Sequence, residues 1–184
     1  MKLIDYYMSP SSPWTYLGHA RFAEIARKHD AQVEVKPVDF GVIFPQSGGL
    51  PLAKRAPQRQ AYRLVELRRW KEYLGMPLVI QPKFFLVDAG PAAALIAGAP
   101  MEKRMALAGD LMAALWKDDR NLADPALLKE IGAKHGAEGS KTQFDAFTQE
   151  GLARGVFGAP SYVYKDEIFW GQDRLDFLDR ALKQ

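Results

Sequence analysis

Ser12 stands where a side-chain hydroxyl can do chemistry. It follows the turn-rich stretch Met8-Ser9-Pro10-Ser11 and precedes Pro13, and the pair reads as a helix start. Serine caps, and proline at the first helical position lacks an N–H that would have no partner there. A helix start carries unpaired backbone N–H groups and the positive end of the helix dipole. An anion bound there gains roughly 0.3–1 kcal/mol at a surface and more when partly buried. A thiolate is such an anion, and a serine hydroxyl can donate a hydrogen bond to sulfur and keep a bound thiol ionised. The plainer role for Ser12 is the cap alone, worth about 1 kcal/mol. The chain has no cysteine, which excludes disulfides, thiolate metal sites and a cysteine nucleophile of its own. A serine hydrolase is also disfavoured. There is no Gly-x-Ser-x-Gly elbow, and His19, His29 and His135 read as surface residues without an evident acidic partner.

The elements around Ser12 must place it. Residues 3–7 alternate and are rich in aromatics, which predicts a strand; residues 32–38 alternate again. Between them Leu17, Ala20, Phe22, Ile25 and Ala26 give one apolar helix face, ending near His29-Asp30. Such a β-α-β unit is parallel and right-handed. The loop before Pro13 then lies at the carboxyl end of the first strand, where open α/β sheets bind ligands. Residues 39–56 read as loop, punctuated by Gly41, Pro45, Ser47-Gly48-Gly49 and Pro51. Helices are predicted from Pro57 to a stop at Gly75-Met76-Pro77, then over residues 92–99, 101–117, 125–135 and 141–154. Beyond Gly155 come two short strands, 161–164 and 168–170, joined by a Lys165-Asp166-Glu167 turn, and a last helix over 174–182 capped by Asp173. The fold class is therefore α/β, a sheet unit interrupted by an all-helical insertion. The expected division is residues 1–45 and 155–184 for the sheet domain and 46–154 for the insertion.

Composition bounds the rest. With 184 residues, 48% hydrophobic and 26% charged, the chain suits one compact globular unit with a core large enough to need no staple. A net charge of +3 with spread basic residues argues against nucleic acid as a partner. The densest basic stretch, Lys54 to Arg69, is either a solvated helix face or a local well of positive potential for a small anion. No apolar run approaches a membrane span, and Met1-Lys2-Leu3-Ile4-Asp5 does not resemble a signal peptide, so a cytoplasmic protein without a membrane partner is expected.

Three motifs together resemble one known family. Ser12-Pro13-Trp14-Thr15-Tyr16-Leu17-Gly18 is similar to the Ser-Pro-x-Ser/Thr-aromatic-Leu-Gly/Ala stretch of kappa-class glutathione transferases and 2-hydroxychromene-2-carboxylate isomerases. Gly155-Val156-Phe157-Gly158-Ala159-Pro160-Ser161 resembles that family's cis-proline loop, though by itself it is a plain loop before a strand. Phe169-Trp170-Gly171-Gln172-Asp173-Arg174-Leu175 resembles its Phe-x-Gly-x-Asp-Arg stretch, in which the aspartate could also be a plain helix cap. Their order spans nearly the whole chain. Arg59-Gln60-Ala61-Tyr62 and Pro77 fall where the family has a basic residue, a tyrosine and a helix-ending proline.

The resemblance implies a DsbA-like architecture, a thioredoxin-like fold with a helical insertion, and glutathione as cofactor. It implies that Ser12, in preference to Ser9, contacts the glutathione sulfur in place of a redox cysteine. The backbone at Ala159 and Pro160 would pair with the cysteinyl unit, and Gln172 and Asp173 would hold the γ-glutamyl end. Gly49 stands where relatives often carry asparagine, so a contact to the glycyl end is missing or is replaced by Arg59. The activity implied is isomerisation of an aromatic 2-oxo acid in aromatic-compound catabolism, with Arg59 and Arg69 as candidates for the substrate carboxylate. A kappa-type transferase and a non-catalytic glutathione- or peptide-binding protein are the alternatives. A small aromatic carboxylate as substrate and a homodimer complete the expectation.

Overall fold

Local chemistry decides where each helix starts and stops. Ser12, Asp39, Asp124 and Ser140 each accept an N–H from two or three residues on, which satisfies an orphan donor of the first turn. Gly48, Gly75 and Gly136 close helices in the left-handed conformation. The computed structural model describes all 184 residues. The order is β1 (Leu3–Met8), α1 (Pro13–Lys28), β2 (Gln32–Pro37), α2 (Phe40–Ser47), α3 (Pro57–Leu74), α4 (Gly90–Gly98), α5 (Met101–Trp116), α6 (Pro125–His135), α7 (Lys141–Ala153), β3 (Ser161–Tyr164), β4 (Glu167–Trp170) and α8 (Leu175–Ala181). Short 3-10 turns occupy Leu52–Lys54 and Gln172–Arg174.

The strands form one sheet in the order β2-β1-β3-β4. β1 runs parallel to β2, with Leu3 opposite Gln32 and Met8 opposite Pro37. β3 is antiparallel to both its neighbours, Tyr7 facing Ser161 and Ser161 facing Trp170. Side-chain parity sorts the core. Ile4, Tyr6 and Met8 point with Val35, Tyr162 and Tyr164 into a cluster shared with Leu17 and Phe22 of α1, α5 and α8. Tyr7 and Val163 point the other way, into a smaller cluster with Ala93 of α4 and Phe144 and Phe147 of α7. The larger cluster runs continuously from the sheet into the helices between β2 and β3.

Several expectations need correction. β1 is buried on both faces after its first residue, because helices cover both faces of the sheet, so its side chains do not divide into wet and dry. Residues 40–47 form α2 where a loop was expected: Asp39 caps it, and Ile43 is buried from it in the cluster with Phe144 and Phe147 of α7, tertiary packing of the kind that overrides local propensity. The β3–β4 hairpin turns on two residues, Lys165 and Asp166, with φ of 50° and 64°, the signature of a type I′ turn, and Glu167 is already strand. Asp173 does not cap the last helix. It lies inside the 3-10 turn that precedes α8, and its carboxylate bonds to Arg174.

Candidate functional site

The site is built at the carboxyl end of β1. Ser12 has extended backbone, φ −86° and ψ 121°, and caps α1. Its Oγ accepts the Thr15 N–H at 3.2 Å and its carbonyl accepts the Tyr16 N–H at 3.1 Å. The hydroxyl thereby receives a backbone proton while its own proton has no acceptor in the protein. Ser9 differs: its Oγ lies 3.0 Å from that of Ser11, so the two hydroxyls share one hydrogen bond. A cleft of about 240 Å³ opens beside this loop, walled by Ser9, Ser11, Asp39, Phe40, Val87 and Asp88 among others.

The second motif meets the first through the sheet. Tyr7 faces Ser161 across the β1–β3 ladder, and one further step of that register sets Met8 opposite Pro160, next to the Ser9 loop. The Ala159–Pro160 bond is cis, as expected. The third motif joins them: the Gly171 N–H donates to the Pro160 carbonyl at 2.8 Å.

Gln172 and Asp173 then part company. Gln172 is buried, its carbonyl and side-chain oxygen both accepting from Arg21 of α1. Its Cβ fills the space beside Gly18, where an added Cβ would come within 2.6 Å. Gln172 therefore locks the last turn onto α1, while Asp173 is exposed. Arg59 is also exposed, in the first turn of α3. Arg69 is engaged with Glu66 at 3.0 Å on the outer surface of α3, so it is not a free cation for a substrate. At Gly49, an added Cβ would overlap the Phe44 ring, so no side chain fits there unless Phe44 moves.

The histidines correct the surface reading. His19 packs between α1 and α5: its Nε2 lies 3.0 Å from the Met105 carbonyl, and its Nδ1 lies 3.2 Å from the Tyr6 hydroxyl. A carbonyl only accepts, so the proton sits on Nε2 and Nδ1 accepts from Tyr6. Burial pulls its pKa down to about 4, against a smaller upward effect of the Met105 bond. His29 and His135 have the acidic partners that were not evident in the sequence, Asp179 at 2.7 Å and Asp110 at 2.9 Å. Both pairs lie outside the residues lining the cleft.

Other polar groups went unforeseen. Asp39 and Asp88 wall the cleft in the same way, each accepting the N–H of a glycine two residues on, Gly41 and Gly90. The repeated Val-Asp-x-Gly pattern at 38–41 and 87–90 is the signal that marks them. Beneath the sheet on the α7 side, the Lys36 ammonium sits 2.9 Å from Asp5, 3.2 Å from Glu34 and 2.6 Å from Glu150, and Glu150 also accepts from the Tyr7 hydroxyl at 2.7 Å. Burial works against the Lys36 charge, but the bonds to Glu150 and Asp5 outweigh it and hold the pKa above its ordinary value.

Comparison with known proteins fits this geometry. A profile of the DSBA-like thioredoxin domain matches residues 3–183. The chain belongs to the DSBA-like thioredoxin family. Its architecture is the DsbA-like thioredoxin fold with a helical insertion. A 2-hydroxychromene-2-carboxylate isomerase from Sphingobium xenophagum is 27% identical over 198 residues, covering 98% of both chains. A solved 2-hydroxychromene-2-carboxylate isomerase superposes with a TM-score of 0.81 at 22% identity, covering 98% of this chain and 94% of the other. The cytosolic disulfide reductase DsbM from Pseudomonas aeruginosa, solved with GSH, superposes with a TM-score of 0.62 at 19% identity, covering 99% of this chain and 100% of its own. No helix of this DSBA-like chain is long and apolar enough to cross a membrane.

Proposed function

We propose that the protein is a glutathione-dependent isomerase of the 2-hydroxychromene-2-carboxylate type, acting on an aromatic 2-oxo acid. The observation that carries this reading is the state of Ser12. Its oxygen is occupied by the Thr15 N–H and its proton is uncommitted, at the positive end of α1, in a family member with no cysteine. A hydroxyl so placed is a donor waiting for an anion, and the helix start adds to the attraction. The similarity over full length to proteins named as that isomerase supports the same reading.

Bound glutathione would supply the nucleophile, a thiolate that adds to the conjugated bond of the substrate, permits rotation and leaves again. The residues of this chain do the rest. Ser12 donates to the sulfur and lowers the pKa of the bound thiol. The backbone at Ala159 and Pro160, beside the end of β1, offers main-chain partners for an extended peptide. Asp173, exposed and paired only with the adjacent Arg174, is the carboxylate for the γ-glutamyl ammonium, since the Gln172 side chain is committed to Arg21. Arg59 supplies positive potential for the glycyl end.

The test is turnover of 2-hydroxychromene-2-carboxylate with and without glutathione. Activity should require glutathione, with none consumed and no conjugate formed. Ser12→Ala should lower kcat about 10- to 100-fold, the loss of one charge-assisted hydrogen bond, and should shift the pH–rate profile upward. Ser9→Ala should change little. Equal losses from the two substitutions would defeat the role given to Ser12, and accumulation of a glutathione conjugate would make the protein a transferase.

A further inference from the structure

The arginines of this chain that form ion pairs are Arg69, Arg104, Arg120, Arg154 and Arg174. Arg21, Arg27, Arg55, Arg59, Arg63, Arg68 and Arg180 form none, and three of these, Arg55, Arg59 and Arg63, gather around the amino end of α3. Exposure explains that for Arg59. It does not explain Arg63, whose Nη2 is fully buried without a hydrogen-bond partner. The guanidinium carbon lies over Phe85, 4.7 Å from the ring centroid. Phe85 in turn packs on Trp116 at 5.2 Å between centroids, and the Trp116 Nε1 is a second buried donor with no acceptor. Both groups can only donate. Leaving such donors unpaired away from water is unfavourable, most of all for a charged one. Burial and the neighbouring Arg55 accordingly pull the Arg63 pKa down to about 10.

Neither Arg63 nor Phe85 lines the cleft itself, but the chain ties Phe85 to its wall. Phe85 is two residues from Val87, which lines the cleft beside Ser9 and Ser11, and two residues of extended chain span at most about 7 Å. Arg55 donates from Nε to the Leu50 carbonyl at 2.8 Å. That ties Arg55 to the Gly49 loop, where an added Cβ would overlap the Phe44 ring.

We propose that Arg63, held against Phe85 beside the cleft and supported by Arg55, receives the carboxylate of a bound ligand. Two acids in the proposed reaction carry one, the aromatic substrate and the glycyl end of glutathione. The choice of ligands rests on the proposed function; the site itself does not. A planar aromatic acid suits it best, because Phe85 offers an aromatic surface beside the cation.

The experiment is calorimetric titration of wild type, Arg63→Met and Arg63→Lys with three probes: chromone-2-carboxylate, its methyl ester, and glutathione. Arg63→Met should weaken chromone-2-carboxylate about 10- to 100-fold, with Arg63→Lys intermediate and the ester bound alike by all three proteins. The melting temperature of Arg63→Met should not fall, since an unneutralised buried cation is removed. Weakening of glutathione instead would still place a carboxylate on Arg63 and assign it to the glycyl end. Unchanged affinity for both acids, or no binding of either by wild type, overturns the proposal. If wild type binds the aromatic acid through Arg63 yet isomerises nothing, the anion site stands and the proposed function falls. If wild type isomerises, while Arg63→Met keeps the substrate KM and binds glutathione as before, the function stands and the anion site falls.

Discussion

His19 should make the stability of this protein fall steeply with mild acid. Its imidazole is held neutral between the Met105 carbonyl and the Tyr6 hydroxyl, with a folded pKa of about 4 against an ordinary value of 6.5. A depressed histidine pKa means that the unfolded chain binds the proton first. Stability is therefore complete above the unfolded pKa and is lost as pH falls from there toward the folded value. Between about pH 7 and about pH 5 the linkage relation gives a loss of about 2 kcal/mol from this one group. Urea unfolding across that range measures it. The control is His19→Gln, which keeps an acceptor for Tyr6 and a donor for Met105 without a titrating charge. Wild type should lose about 2 kcal/mol more than the variant over the interval. Parallel pH dependences in the two proteins would refute the buried neutral histidine. Because His19 fastens α1 to α5, the same loss would loosen the helix that Ser12 caps.

Two further outcomes can be measured directly. Lys36→Met should destabilise by about 1–3 kcal/mol at neutral pH, because Asp5 then keeps only Arg154, 3.5 Å away, and the half-exposed Glu150 keeps only the Tyr7 hydroxyl. The bonds to Lys36 and Tyr7 outweigh burial and lower the Glu150 pKa, so its contribution exists above the ordinary carboxylate range and is lost as pH falls through the folded value. The deficit of the variant should therefore narrow in acid, and a neutral-pH loss under about 1 kcal/mol would show the cluster to be indifferent. Asp173→Ala should scarcely move the melting temperature, since Asp173 caps nothing, yet weaken glutathione about tenfold or more. Unchanged glutathione affinity would remove Asp173 from the site.

What was legible in the sequence was mostly local. Pro57 and Pro125 mark helix starts, Gly75 and Gly136 mark helix ends, and Ser12 before Pro13 marks α1, because capping and proline geometry act within one turn. The pairing of β1 with β2 follows from the intervening helix. Burial of individual polar groups was not legible, because it depends on neighbours far along the chain. His19 looks like a surface residue of α1 until α5 lies across it. Gln172 looks like a ligand contact until Arg21 and Gly18 close over it. Arg63 is one basic residue in a basic stretch, and only Phe85 and Trp116 distinguish it from Arg59 or Arg69. α2 is illegible on the same ground: Gly41 and Pro45 are strong local breakers, and the burial of Ile43 beside Phe144 and Phe147 of α7 is a contact from far along the chain.

The strand order has a consequence for how the chain reaches this state. β1 is an inner strand, but its antiparallel partner β3 begins only at Ser161, so as the chain emerges from a ribosome β1 and β2 meet early while the far edge of β1 stays bare. The Pro160 side of the Ser12 loop arrives with the last stretch of polypeptide. The contact that completes the site is thus among the longest in sequence, and such contacts bear the greatest loop-closure entropy and form late. The helices made in the interval, α4 and α7 above all, cover one face of the half-built sheet during that wait. A nascent chain stalled short of residue 161 would carry Ser12, its cap and its helix, and present an unpaired edge where the site should be.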